Sequence, residues 1–338
     1  MRYALDVARS VFHLRHKRAH GQLARDFVSW LRVEFLGTAA ETGVLAALVR
    51  AQTVEDLATD LGVTDASLLE SLLRVGESVG ELRRDRRGRW RLAGTRARAM
   101  VDPEVDGLAA LPEEAVLYGT DVYRRLGGRL AGAPAGDYLA QHGELVARTS
   151  RVAEPVFGPL ISDVVRTTRP RRVLDAGCGS GVNLRHVGVA SPQVTGAGVD
   201  VDPEVVRLAG SNLATWGLAE RFAARQADVC DLPPDLAGPW DLVLLFQNIY
   251  YFSPTERPGL LGALRALAPD GAVVVATAVA GTGDPAAAHL DVVLRSTVGN
   301  TPLPTVAEVR GDLTSAGFTS IDERRLVPFQ PLRAFVAR

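Results

Sequence analysis

The sequence predicts a two-domain α/β protein in which a mostly helical N-terminal domain precedes a doubly wound parallel sheet. From Arg171 onward, short apolar runs alternate with longer segments of helical periodicity, which is typical of parallel strands joined by helices. Residues 1–105 lack this alternation and carry apolar residues at helical spacing instead. The length of 338 residues is also more than one ordinary domain needs and suits two.

Composition and charge narrow the class of protein. The chain is 47% hydrophobic and 23% charged, as a globular protein with a large core is, and its formal net charge of −1 gives no reason to expect a nucleic acid partner. Cys178 and Cys230 are too few for a disulfide framework and lack zinc-type spacing. No apolar stretch is long enough to span a bilayer and no signal peptide is visible, so we expect a cytoplasmic protein without membrane attachment.

The N-terminal segment predicts long helices. Residues 1–20 form a predicted helical arm that would place His13, His16 and His20 on one face. Three histidines on one face could hold a metal ion, but a solvated or dimer-packed basic helix explains them better, and we assign no metal. Helical periodicity continues over residues 22–50.

Residues 53–79 predict two short helices, the first capped by Thr53 and ended by Gly62. A hairpin over residues 82–92 follows, with Gly88 in its turn. Helix, turn, helix and hairpin in this order form a winged-helix-like pattern. Such a domain can bind DNA, but its second helix carries more acidic than basic residues, which disfavours contact with phosphates. We therefore favour a dimerisation domain and keep a DNA-binding regulator as an alternative.

The C-terminal half predicts the sheet. Residues 106–165 mix prolines and glycines with a helical stretch from about Asp137 to Val165, and are expected to connect the two domains. Ligands bind such sheets outside the carboxyl ends of the strands. The strands are expected at 173–175, 194–200, within 222–228, and at 241–246, 272–276, 321–326 and 334–337.

A glycine-rich turn follows the first of these strands. The run Asp175-Ala176-Gly177-Cys178-Gly179-Ser180-Gly181 places glycines at alternate positions, where the lack of a Cβ lets the backbone pass close beneath a ligand. Such turns also occur in NAD-binding domains. Cofactors with two phosphates are disfavoured, because Asp175 would face their negative charge. Carboxylates follow the second and third strands at Asp200 and Asp228.

These landmarks resemble class I S-adenosylmethionine-dependent methyltransferases, together with the segment 240–246 and the turn Ala268-Pro269-Asp270-Gly271. The N-terminal pattern is similar to that of two-domain small-molecule O-methyltransferases. The resemblance implies a Rossmann-like methyltransferase domain over 166–338, S-adenosylmethionine as cofactor, a homodimer formed through residues 1–105, and a specialised metabolite as methyl acceptor. It also implies the cofactor-binding residues Asp175, Gly177, Gly179, Gly181, Asp200 (ribose), Asp228 (adenine), Val229 and Phe246.

The chain departs from this family after the fourth strand. Members usually continue with Leu-His-Asp-Trp, whose histidine is the base, whereas residues 247–254 read Gln-Asn-Ile-Tyr-Tyr-Phe-Ser-Pro. Tyr250 takes the histidine's position, and a phenol is a poor base at neutral pH. Asn248, Tyr250 and Tyr251 are the candidate catalytic residues, offering an amide and aromatic faces that can contact a sulfonium. Simple packing of these rings is the other interpretation.

The missing histidine affects the expected reaction. An acceptor that needs little help from a base is favoured: an amine, an enolisable carbon or an acidic hydroxyl. An alternative is that S-adenosylmethionine is itself the substrate and cyclises with release of methylthioadenosine. Further pocket and base candidates are Tyr118, Tyr123, Tyr138, His142, His186 and His289.

Overall fold

The computed structural model describes residues 13, 15–328 and 331–338. It divides into two compact units, Met1–Leu117 and Tyr118–Arg338. The boundary lies inside the segment 106–165 that the sequence predicts to be a connector, so each unit contains part of that segment. Within the described residues, no helix is both long enough and apolar enough to cross a membrane.

The first unit is mostly helical. Thr53 Oγ1 accepts a hydrogen bond from the backbone of Asp56, and Gly62 ends that helix in a left-handed conformation, both as predicted. Asp65 caps the next helix. The elements are α1 (Lys17–Glu41), α2 (Val44–Ala47), α3 (Val54–Leu61), α4 (Ala66–Ser78), β1 (Leu82–Arg84), β2 (Trp90–Leu92), α5 (Thr95–Ala99) and α6 (Asp106–Glu114).

The predicted histidine face is wrong. His13 and His16 precede α1, and His16 has a left-handed backbone with a φ of 55°, so neither shares a helical face with His20. Residues 1–12 and 14 of the predicted arm lie outside the described residues. Among the residues that the structure does describe, no group of three or more His, Cys, Asp or Glu side chains could hold a metal ion.

The second unit contains the sheet and the helices that cover it. A π-helical segment, Ala115–Gly119, precedes its first α-helix. The helices are α7 (Thr120–Leu130), α8 (Tyr138–Thr149), α9 (Glu154–Thr168), α10 (Val182–Ala190), α11 (Pro203–Thr215), α12 (Arg257–Leu267), α13 (Pro285–Arg295) and α14 (Val306–Ser315). The strands are β3 (Arg172–Ala176), β4 (Thr195–Asp200), β5 (Phe222–Gln226), β6 (Leu242–Phe246), β7 (Ala272–Ala278), β8 (Ile321–Arg325) and β9 (Leu332–Ala337).

The seven strands follow the order β5-β4-β3-β6-β7-β9-β8. The first five are parallel, and β9 runs antiparallel to both of its neighbours. β6 is buried along its whole length because both faces are covered: Leu244 packs in the core on one face and Leu245 in the core on the other. The predicted doubly wound α/β fold is confirmed. Its strand order reverses at β3 and β6, and such a switch point is where ligands bind in sheets of this kind.

Candidate active site

A cavity of about 560 Å³ opens at the carboxyl ends of the central strands. Its floor consists of the segments that follow β3, β4, β5 and β6. Part of α8 and residues 298–300 complete the wall. Because the carboxyl ends of parallel strands meet at one edge of the sheet, four segments distant in sequence converge here.

The glycine-rich turn lines this cavity through Gly177 and Gly179. Both have left-handed backbones, with φ of 72° and 52°. The amide of Gly177 donates to the carbonyl of Val199 at 2.8 Å, which ties the turn to the end of β4. A Cβ on Gly179 would meet no atom within 4 Å, so the space beside it is open to a ligand. Gly181 does not line the cavity and immediately precedes α10.

Asp175 lies beneath the turn and does not line the cavity. Its side chain is fully buried, and its Oδ1 accepts a hydrogen bond from Asn183 Nδ2 at 3.3 Å. Its Oδ2 has no partner. Burial above all, with the nearby charge of Asp200, raises the pKa of this carboxyl to about 7, although the hydrogen bond from Asn183 lowers it. A buried carboxyl oxygen without a partner indicates a missing donor, supplied by a proton or by a ligand.

Asp200 lines the cavity at the end of β4. Its Oδ2 accepts from the amide of Gly179 at 3.1 Å and its Oδ1 from the amide of Asp202 at 3.2 Å. Burial raises the pKa of Asp200, and these hydrogen bonds oppose the shift. Asp202 caps α11 by accepting from the amides of Glu204 and Val205.

The segment after β5 forms the next part of the wall. Asp228 lines the cavity, and its Oδ1 accepts from the amide of Cys230 at 2.8 Å. Val229 lines the same wall and packs against the core. Phe246, at the end of β6, also lines the cavity and contacts the Phe157 ring edge-on, with centroids 5.1 Å apart.

Asn248 connects the glycine-rich turn to β6. Its Nδ2 donates to the carbonyls of Ala176, Gly177 and Phe246, at 3.3, 2.9 and 3.0 Å. The residue lines the cavity, but its amide group is already engaged with the backbone. This role was not predicted, since it depends on the pairing of β3 with β6. The catalytic role stays a prediction.

The aromatic residues that follow also lie at the cavity. Tyr250, Tyr251 and Phe252 all line it. Tyr250 is buried, and its ring contacts that of Tyr251 edge-on with centroids 4.9 Å apart. Tyr250 is therefore packed in the core and also lines the cavity, and its catalytic role stays a prediction.

Arg257 holds this aromatic turn in place from behind. The arginine is 1% exposed, and its Nε donates to the carbonyls of Ile249 and Phe252. Its Nη2 donates to Thr301 Oγ1 at 2.8 Å and to the carbonyl of Pro302 at 3.2 Å. One side chain thus joins the turn after β6 to the loop that contains residues 298–300. The sequence analysis missed this arginine.

The predicted histidine bases do not line the cavity. His289 forms a hydrogen bond of 3.0 Å with the hydroxyl of Tyr123, and the two rings stack. His186 lies 3.8 Å from a Glu154 carboxylate oxygen, and burial lowers its pKa. His142 stacks on Tyr118 instead.

The predicted tyrosines of α7, α8 and the preceding segment also lie elsewhere. Tyr118 and Tyr138 are buried and stacked on each other. The hydroxyl of Tyr138 donates to Asp121 at 2.8 Å and accepts from Arg129 at 2.9 Å. The expectation that Tyr118, Tyr123, Tyr138 and His142 line the pocket is therefore wrong, since α8 contributes other residues to the wall: Gly143, Val146 and Ala147.

Charge at the cavity is of one sign. Its lining includes the four carboxylates Asp137, Asp200, Asp202 and Asp228, whereas none of the residues that line it is a lysine, arginine or histidine. Asp137 and Asn300 were not predicted. Both belong to loops that reach the site only through tertiary contacts.

Comparison with known proteins agrees with this geometry. Residues 173–271 match the methyltransferase domain family. Over 98 residues the chain is 36% identical to the tRNA1(Val) (adenine(37)-N6)-methyltransferase of Yersinia enterocolitica serotype O:8, a match that covers 29% of this chain and 38% of that protein. The chain therefore spans less than half the length of the curated relatives it matches.

Solved structures match over nearly the whole chain. Human N-acetylserotonin methyltransferase in complex with S-adenosylmethionine superposes with a TM-score of 0.74 at 17% identity, covering 94% of this chain and 97% of that one. The N,N-8-amino-8-demethyl-D-riboflavin dimethyltransferase of Streptomyces davawensis gives a TM-score of 0.69 at 24% identity, covering 95% and 99%. These matches confirm the predicted fold.

Proposed function

Because residues 173–271 form a class I S-adenosylmethionine-dependent methyltransferase domain, we propose that the protein transfers a methyl group from this cofactor to a small-molecule acceptor. The main support for the proposal is the cavity at one edge of the sheet, which the glycine-rich turn, Asp200 and Asp228 line together. Two proteins of similar structure are named for small substrates, N-acetylserotonin and an aminoriboflavin. A specialised metabolite is the acceptor class we expect.

The residues present fit S-adenosylmethionine. Open space beside Gly179 leaves room for a ligand against the turn. Asp200 would hold the ribose hydroxyls and Asp228 the adenine amino group, with Val229 beside the ring. Asp175 retains an unpartnered oxygen beneath the turn. When bound, the cofactor supplies a methyl group on a positively charged sulfur, which makes that methyl electrophilic.

The chain's own residues position and shield the reactants. Asn248 fixes the glycine-rich turn against β6, so the cofactor side of the cavity is preformed. Tyr250, Tyr251 and Phe252 exclude water from the wall beside it and offer aromatic rings to a cation. Holding two reactants in attack geometry lowers the barrier without a covalent step on the protein.

Cofactor binding tests the first half of the proposal. Isothermal titration with S-adenosylmethionine should give saturable one-to-one binding, and Asp200→Asn should weaken it at least tenfold, because hydrogen bonds to a charged acceptor contribute about 1.5–3 kcal/mol. Asp270→Asn is the matched control, since Asp270 is exposed and lies outside the cavity. Equal affinities for the wild type and both variants would contradict the assignment of Asp200.

Cyclisation of the cofactor remains the second candidate. It is favoured by one observation, the lack of any histidine among the residues that line the cavity. In that reaction the cofactor's own amine attacks its γ-carbon, and methylthioadenosine leaves. Methylthioadenosine formed together with the cyclic amino acid, without any acceptor and faster than without the protein, would establish cyclisation, whereas turnover that requires an acceptor would exclude it.

A homodimer through the first unit is the expected assembly. One face of α1 exposes Leu23, Phe27 and Trp30, at 67, 57 and 51%. Exposed apolar side chains at helical spacing are typical of an interaction surface. Light scattering should give a dimer mass, and Phe27→Asp should reduce it to that of a monomer. Val189→Asp replaces an apolar residue on α10 that is even more exposed than Phe27, and should leave the dimer intact.

The DNA-binding alternative concerns the same unit. It depends on α3, α4 and the hairpin β1–β2, which form the predicted helix, turn, helix and hairpin order. A mobility-shift assay at physiological salt tests it, and the absence of any sequence preference would remove it.

A further inference from the structure

We propose that the methyl acceptor is an amine, recognised through Asn300 and Asp137, and that its nitrogen is neutral when it reacts. The inference rests on the proposed function and narrows its acceptor class. It depends on two features of the cavity: the negative charge of its lining, and a buried hydrogen-bond acceptor in its wall that has no donor.

The charge of the lining disfavours an anionic acceptor. Asp200, Asp202 and Asp228 lie at the end of β4 or after β4 and β5, whereas Asp137 precedes α8, and no lysine, arginine or histidine of the lining opposes them. A phenolate, enolate or carboxylate would lie among like charges, with no cationic side chain of the lining to pair with it. An amine brings no negative charge, and a net negative wall stabilises the positive charge that its nitrogen acquires.

Two of the side chains that could donate to an oxyanion are already engaged with the backbone. Asn248 Nδ2 donates to three backbone carbonyls. The hydroxyl of Ser150, the only serine or threonine that lines the cavity, donates to the carbonyl of Ala147 at 2.8 Å. These two side chains are therefore not free to stabilise a developing oxyanion, which O-methylation of a weakly acidic hydroxyl requires.

The wall also contains a buried hydrogen-bond acceptor that has no donor. Asn300 Oδ1 is buried and has no hydrogen-bond partner. The amide of Thr301 donates to the carbonyl of Tyr250 at 2.9 Å, so Asn300 is held directly beside the aromatic turn. A buried carbonyl oxygen without a donor costs free energy, and an acceptor N–H that fills it would be bound selectively.

Asp137 completes this part of the wall. It precedes α8 without capping it, so the helix does not use its carboxylate. Gly136 pairs with the loop after α13, since its carbonyl accepts from the amide of Val298 at 2.8 Å. That pairing places Asp137 next to residues 298–300. Its exposure puts it at the mouth of the cavity, where it can attract an amine that arrives as an ammonium ion.

The step then balances without a base on the protein. An amine that arrives as an ammonium ion first loses its proton to water. The lone pair of the neutral nitrogen then forms the N–C bond while the C–S bond breaks, and the bonding electron pair of C–S stays on sulfur. The product leaves as a methylammonium ion or loses its extra proton to water.

Matched acceptor pairs test the proposal. The wild-type protein is incubated with methyl-labelled S-adenosylmethionine and with aniline or phenol, benzylamine or benzyl alcohol, and 1-aminonaphthalene or 1-naphthol. We expect the amine of at least one pair to be methylated at least tenfold faster than its hydroxyl partner. Faster methylation of the hydroxyl partners would overturn the proposal while leaving the proposed methyl transfer intact. Failure of every pair in a protein that binds the cofactor would also count against it.

Variants of the two residues provide an independent binding readout. In protein saturated with S-adenosylhomocysteine, Asp137→Asn should weaken benzylammonium binding about fivefold and leave benzyl alcohol binding unchanged, because only the cation loses a Coulomb attraction. Asp270→Asn is the control for charge alone. Asn300→Leu should weaken aniline binding severalfold and Asn300→Asp, which keeps the accepting oxygen, should restore it. Identical losses for Asn300→Leu and Asn300→Asp, or an unselective effect of Asp137→Asn, would contradict these assignments.

Discussion

Alanine at Gly177 and alanine at Gly179 should separate the stability of the glycine-rich turn from its capacity to bind the cofactor. Both residues have positive φ, so either alanine costs about 1–2 kcal/mol of backbone strain. At Gly177 the new Cβ would also collide with the Asn248 amide, with the Cγ of that residue only 2.6 Å away. At Gly179 it would meet nothing within 4 Å.

The magnitudes follow from what each Cβ displaces. Moving Asn248 breaks up to three hydrogen bonds, each contributing about 0.5–1.5 kcal/mol. Gly177→Ala should therefore lower the free energy of unfolding by about 3 kcal/mol or more, and Gly179→Ala by about 1 kcal/mol. Gly179→Ala should weaken cofactor binding at least tenfold, because overfilling a fitted site costs about 1–3 kcal/mol.

Urea unfolding followed by circular dichroism gives the first quantity, and isothermal titration with S-adenosylmethionine gives the second. The double variant Gly177→Ala/Asn248→Ala serves as a control. Because Asn248→Ala removes the side chain that the new Cβ would hit, it should lower the free energy of unfolding less in the Gly177→Ala protein than in the wild type. Equal loss of stability in the two single variants, or normal binding by Gly179→Ala, would refute the reasoning.

Three further predictions concern charged groups. Burial raises the pKa of Asp175 to about 7 from an ordinary 3.8, so its contribution to stability is lost as the pH rises from about 4 to about 7. In urea unfolding of the ligand-free protein, Asp175→Asn should therefore have a free energy of unfolding up to about 4 kcal/mol higher than that of the wild type at pH 8, and little higher at pH 4. Asp241→Ala removes the acceptor for the amides of Arg171 and Arg172 and should cost about 1–2 kcal/mol of stability while leaving cofactor affinity, measured by titration, unchanged. Arg257→Met leaves buried carbonyls without a donor and should lower the free energy of unfolding by roughly 2–5 kcal/mol, whereas a loss below 1 kcal/mol would contradict its role behind the aromatic turn.

Much of the fold is predictable because its signals are local. The apolar run of β6 identifies a strand covered on both faces, and the glycines after β3 identify a tight turn at a ligand. Asp200 and Asp228 directly follow their strands, so the carboxyl-edge rule places both at one cavity. In each case the evidence lies within a few residues of the feature.

Asp241 marks where this reasoning fails. It belongs to the segment 240–246, which the sequence analysis counts among the landmarks of the family, but its carboxylate accepts hydrogen bonds from the amides of Arg171 and Arg172. Asp241 comes before β6 and therefore lies at the opposite edge from the cavity. Because Asp241 precedes its strand whereas Asp200 and Asp228 come at the ends of theirs, the sequence already indicated that Asp241 lies away from the cavity.

The residues on the acceptor side of the cavity could not be predicted from the sequence, for a different reason. Asn300 reaches the aromatic turn only because Thr301 and Arg257 join two loops that are far apart in the chain. Asp137 reaches the same wall through the pairing of Gly136 with Thr297. No periodicity or spacing in the sequence encodes such contacts. The candidate bases were therefore chosen by residue type alone, and the chosen histidines do not line the cavity.

The central claim is that the cofactor's methyl group is transferred to an amine. Mass spectrometry after incubation with S-adenosylmethionine carrying a trideuterated methyl group tests it most directly. The account predicts an amine that gains one trideuterated methyl group on nitrogen, an equal amount of S-adenosylhomocysteine, and no turnover until the amine is added. Methylthioadenosine formed from the cofactor alone would contradict it.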